Sequence, residues 1–102
     1  MDKLGDEDKN LRTLEITTRE RTLLLKYGYP WPEDAERLRN SKAVKGHHRV
    51  PIDAYWIEMI LADIVRSAKE VSSPALLEEL DALCSILDCA LENRPRIHSV
   101  SM

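Results

Sequence analysis

The apolar residues Leu76, Leu80, Leu83, Leu87 and Ala90 step by four, three, four and three, and leave Glu78, Asp81, Ser85, Asp88 and Glu92 on the other side. At about 100° per residue this spacing draws a single stripe along a helix, whereas the faces of a strand repeat every two residues. Ser73 as N-cap and Pro74 at the first helical position start the helix, and Arg94, Pro95 and Arg96 end it near Asn93. Leu77, Cys84 and Leu91 flank the stripe.

The same period recurs upstream. From Ile52 to Val71, with Asp53 as N-cap, Trp56, Ile57, Ile60, Leu61, Ile64, Val65 and Ala68 cover half a cylinder opposite Asp63, Arg66 and Glu70. Thr17, Thr18, Arg19 and Glu20 read as a capping box, followed by Leu23, Leu24, Leu25 and Tyr27 and stopped by Gly28, a helix over 18–27. Pro32 opens a short helix to Asn40, with Glu33, Asp34 and Glu36 in its first turn and Arg37 and Arg39 at its end. Ser41 to Val50 lacks periodicity and reads as a loop with at most a few extended residues at His48 to Val50.

With three glycines, no Phe and no alternating Val/Ile/Thr run of strand length, a sheet has little raw material. The expectation is an all-α domain: a bundle of about four helices, two of them long, antiparallel and joined by a short connection. Residues 1–14 are polar and read as a disordered tail, 15–94 as the single helical domain and 95–102 as a short flexible tail. A chain of 102 residues buries about two-thirds of its extended surface, enough for one modest core. No apolar run approaches the length of a membrane span and the acidic start does not resemble a signal peptide, so the expectation is a soluble, cytoplasmic protein with no membrane partner. Cys84 and Cys89, about 140° apart on one helix, read as free thiols, Cys84 on the buried leucine face and Cys89 partly exposed.

Four constellations could carry chemistry. His47 and His48 have Asp53, Glu58 and His98 as candidate co-ligands, yet adjacent histidines point apart and no HExxH or CxxC accompanies them. They read as solvated loop histidines, with no metal and no cofactor assigned. Arg37, Arg39, Lys42, Lys45 and Arg49 form a basic stretch, while the segment from Glu70 to Asn93, most of it the last helix, carries Glu70, Glu78, Glu79, Asp81, Asp88 and Glu92 and no base, a segregation hidden by the net charge of −3. The favoured reading packs the basic loop near that acidic face, within the chain or across a dimer. Lys42, Lys45, His47, His48 and Arg49 are the candidate contacts for a partner or anion.

Tyr27, Tyr29 and Trp31, interleaved with Pro30 and Pro32, make an aromatic corner that reads as the plug docking the short helix, with a peptide platform as the alternative. No nucleophile motif, phosphate-cradling loop or paired-carboxylate spacing suggests an enzyme. The surplus apolar face of the two long helices points to a non-catalytic protein–protein interaction module, a homodimer or a complex with another protein. A nucleic-acid binder or regulator using residues 37–49 ranks second, because the chain lacks a basic excess.

Overall fold

The computed structural model describes residues 10–93. Among them four helices stand with a two-stranded antiparallel sheet, in the order β1 (Leu11–Thr17), α1 (Thr18–Tyr27), α2 (Pro32–Asn40), β2 (His47–Asp53), α3 (Ala54–Ala68) and α4 (Pro74–Leu91). The domain is therefore mixed rather than all-α, and residues 11–14, expected in a disordered tail, are strand. Residues 1–9 and 94–102, which include the expected C-terminal tail 95–102, lie outside the described residues.

The strands have a period-two pattern that is short and diluted by charge. On β1, Leu14 and Ile16 are fully buried while Thr13 is exposed; on β2, His48, Val50 and Ile52 are buried while Arg49 and Pro51 are exposed. Each stretch alone has too few inward residues to read as a strand. Pairing merges them, because the register sets Leu14 opposite Val50 and Ile16 opposite His48, on one face. Arg12, opposite Ile52, shares that face and donates from Nε to the carbonyl of Leu91 at 3.3 Å, tying β1 to the end of α4. Pro51 has no N–H to offer a ladder, which fits a strand with a neighbour on one side only.

The segment read as a loop also contains a hairpin. Val44 and His47 exchange both backbone hydrogen bonds, at 2.8 and 3.1 Å, around Lys45 (φ 55°) and Gly46 (φ 84°). Two consecutive positive φ values are the mark of a type I′ turn, whose twist matches that of the flanking strands.

Both strands run directly into helices, and the capping residues expected from sequence make the junctions. Thr17 Oγ1 accepts from the Glu20 N–H at 3.1 Å while Glu20 Oε1 accepts from the Thr17 N–H at 2.8 Å, closing the capping box of α1. Asp53 Oδ1 accepts from the Tyr55 N–H at 2.8 Å, so α3 begins at Ala54 and Ile52 belongs to β2. Ser73 Oγ accepts from the Leu76 N–H at 3.2 Å and starts α4.

The core gathers Leu14 and Ile16 of β1, Leu23 and Leu24 of α1, Leu38 of α2, Val50 and Ile52 of β2, and the stripes Ile57, Ile60, Ile64 and Leu80, Leu83, Leu87 of α3 and α4. α4 packs on α3 and on β1, so the leucine stripe faces a helix and the sheet together. Gly28 caps α1 after Tyr27, where the stop was expected, but without a left-handed conformation of its own. Its φ is −97°, an ordinary value, and the left-handed residue is the next one, Tyr29 (φ 45°). A Cβ on Gly28 would lie 2.7 Å from Ile60 Cγ2, so the glycine allows the end of α1 to lie against α3.

Candidate functional site

His48 and His47 sit side by side in the sequence and on opposite faces of β2. His48 is 2% exposed, which overturns its reading as a solvated loop histidine. Its Nδ1 lies 2.8 Å from Ser41 Oγ and its Nε2 2.8 Å from Thr18 Oγ1. Ser41 Oγ donates its proton to the carbonyl of Leu38 at 2.7 Å, so it accepts from Nδ1–H, and Nε2 accepts from the Thr18 hydroxyl. The ring thus ties the start of α1, the end of α2 and β2 together. Burial, reinforced by the nearby Arg21 guanidinium, holds its pKa below the ordinary histidine value and keeps it neutral. Arg21 itself donates to the carbonyls of Leu38 and Ser41, at 3.0 and 3.1 Å, satisfying acceptors left over at the end of α2.

The other residues of the basic set stay together. Lys42, Lys45, His47 and Arg49, with Val44 and Glu15, line a concavity of about 550 Å³ beside the hairpin tip. Within the described residues of one chain the acidic helix takes a cation from α1 instead of the basic loop: Arg19 makes a two-pronged contact with Glu79, Nε to Oε2 at 3.0 Å and Nη2 to Oε1 at 2.8 Å. The cysteines exchange the places expected of them. Cys89 is buried, and Cys84 is partly exposed with a thiol pKa raised by burial and by Asp81 and Asp88. Among the described residues no group of three or more His, Cys, Asp or Glu is arranged to hold a metal ion, and no helix is long and apolar enough to cross a membrane. His98 lies outside the described residues.

The aromatic corner divides. Tyr27 is half-buried and Tyr29 is exposed, and both line a shallow concavity with Ser67, Val71 and Leu76. Trp31 turns instead to Trp56, with ring centroids 5.0 Å apart and planes 18° from parallel, and Tyr55 meets Trp56 edge-on at 4.8 Å. Trp31 remains 51% exposed and Tyr55 58%, with Leu11 and Met59 also open to solvent. Trp31 thus packs the start of α2 on Trp56 through one indole face and leaves the rest of the ring at the surface.

Beside this stack lies a feature the sequence did not reveal. Leu11, Trp31, Glu33, Asp34, Asp53 and Trp56 line a concavity of about 490 Å³, with Arg37 at its side. Asp34 is 4% exposed; its Oδ1 takes a hydrogen bond from Arg37 at 3.0 Å while its Oδ2 is buried with no hydrogen-bond partner. Burial raises its pKa above the usual carboxylate value against the pull of Arg37, and Glu33 and Asp53 push the same way. In sequence Asp34 is one of several acids in a first helical turn, and only the approach of β1, β2 and α3 makes it buried. Three carboxylates against one guanidinium leave this indole-walled hollow with a surplus of negative charge.

Comparison with protein-family models, with curated proteins and with solved structures gives no match, so function has to be read from these surfaces themselves.

Proposed function

We propose that the chain is a non-catalytic protein–protein interaction module that associates with itself. The observation that carries this reading is the ring cluster Trp31, Trp56 and Tyr55 held at the surface with Leu11 and Met59 around it. Large aromatics gathered in one exposed patch with a charged margin are the composition of a contact hot spot, and a chain with five aromatic residues has placed three of them there. The hydroxyl–imidazole array around His48 favours a non-catalytic role, since both ring nitrogens are engaged in bracing three elements and the ring is closed to solvent. The free thiols fit a reducing compartment such as the cytoplasm. Sedimentation equilibrium over the micromolar range tests the reading. The weight-average mass should rise above 11.7 kDa with concentration, and a constant 11.7 kDa at every loading would overturn it.

A second reading is favoured by one observation, the convergence of Lys42, Lys45, His47 and Arg49 on one concavity. A nucleic-acid backbone docked there would bind with an affinity that falls steeply between low and moderate salt. Fluorescence polarisation with a labelled strand at low salt decides it: binding lost on changing Lys45 and Arg49 to Glu supports the reading, and no binding removes it.

A further inference from the structure

The sheet has a chemical polarity along its strands. At one end, where Thr17 faces His47, the type I′ turn puts Val44 and Lys45 at a protruding tip, Val44 being 70% exposed, with Lys42 and Arg49 beside it. At the other end, where Leu11 faces Asp53, lies the hollow walled by Trp31 and Trp56 and lined by Glu33, Asp34 and Asp53. Six residue steps at about 3.3 Å put these ends about 20 Å apart, so one chain cannot bring its own tip into its own hollow.

The two ends are complementary in three respects. An apolar residue next to a cation at the tip matches an indole wall next to carboxylates in the hollow. An ammonium group over an exposed indole face gains a cation–π attraction in addition to its pairing with carboxylates. Asp34 Oδ2, buried and without a hydrogen-bond partner, leaves negative charge behind this wall that an ammonium at the rim would offset through space. An isologous contact through the aromatic patch would instead set Glu33 and Asp53 of one copy near those of the other, at a cost in like-charge repulsion.

We propose that chains associate head to tail, the Val44–Lys45 hairpin tip of one copy entering the hollow between Trp31, Trp56 and Asp34 of the next. This rests on the self-association proposed above and specifies its geometry: a heterologous contact, which continues beyond a dimer instead of closing after one pairing.

The experiment is sedimentation velocity on the full chain and two variants, Lys45→Glu, with a disabled tip and an intact hollow, and Glu33→Gln with Asp34→Asn, with a disabled hollow and an intact tip. Each should weaken assembly about tenfold or more, while Lys45→Arg keeps it. Mixed together, the two weakened variants should form a one-to-one dimer and nothing larger, because one tip and one hollow remain functional. Both indoles of the chain line the hollow, so their fluorescence should shift on mixing and not in either variant alone. Thermal melts by circular dichroism establish that each variant is folded. An equal mixture that stays monomeric overturns the head-to-tail contact, as does a Lys45→Glu chain that assembles like the parent. In that second case the parent still associates and the self-association reading survives. A parent chain that is monomeric throughout overturns both.

Discussion

Trp31 lies face to face with Trp56 at 5.0 Å, and this contact holds the start of α2 against the start of α3. Trp31 is also the N-cap position of α2 and makes no side-chain capping bond there, so the ring contact stands where a hydroxyl or carboxylate would usually anchor the helix. Trp31→Ala should lower stability by about 1–2 kcal/mol, the stacking contribution plus the buried half of one indole. Urea denaturation measures the loss, and the near-ultraviolet circular dichroism of the indole pair should collapse with it. An unchanged near-ultraviolet spectrum would mean that the two rings do not stack in solution.

Gly28→Ala tests the approach of α1 to α3. Alanine is the better helix former by about 0.5–1 kcal/mol and φ −97° suits it, but its Cβ would lie 2.7 Å from the Leu24 carbonyl oxygen. The added methyl would meet Ile60 Cγ2 at 2.7 Å, a distance that forces Ile60 or the helix to move, and overpacking of this kind costs about 1–3 kcal/mol. The steric cost is the larger, so the variant should be less stable by urea denaturation. Gly28→Ala combined with Ile60→Leu, which keeps the volume and removes the Cγ2 branch, should recover part of the loss if Ile60 is the obstacle.

The helices were legible because their signals are local. Thr17 with Glu20, Asp53, and Ser73 with Pro74 mark helix starts through bonds that span two or three residues, and the stripes of α3 and α4 are long enough to define a period. The strands were not legible because their signal is relational. Leu14 and Ile16 become a row only opposite Val50 and His48, more than thirty residues away. Gly46 reads as a breaker when taken alone and as the second turn residue when Val44 and His47 are seen to pair. The same difference divides the site residues. Lys42, Lys45, His47 and Arg49 are near one another by sequence and stay so, whereas His48 leaves them because strand alternation turns it inward, and Asp34 joins Trp56 only through the fold.

His48 predicts a pH dependence of known sign. Its folded pKa is lowered by burial and by Arg21, with His47 adding to the effect, so the unfolded chain binds the proton more readily. Its contribution to stability is therefore complete above the unfolded value of about 6.5 and is lost as pH falls below it toward the folded pKa. Urea midpoints should decline from about pH 6.5 to about pH 5, before most carboxylates begin to protonate. His48→Gln should flatten the profile over that interval, and a profile equally steep in the variant would assign the effect to another group.

Lys45 separates stability from association. It occupies the first central position of a type I′ turn at φ 55°, where a lysine is disfavoured and Asn is the residue most often found before Gly. Lys45→Asn should stabilise the fold by up to about 1 kcal/mol, because Asn tolerates the left-handed region that a long side chain resists. The same change removes the ammonium from the hairpin tip and should weaken self-association. Opposite movements in the urea midpoint and in the sedimentation profile of a single variant would mean that the lysine is held there at a cost to the turn, for its charge. A variant that is both more stable and equally associated would leave the lysine without that role, and one with an unchanged midpoint would argue against the type I′ geometry.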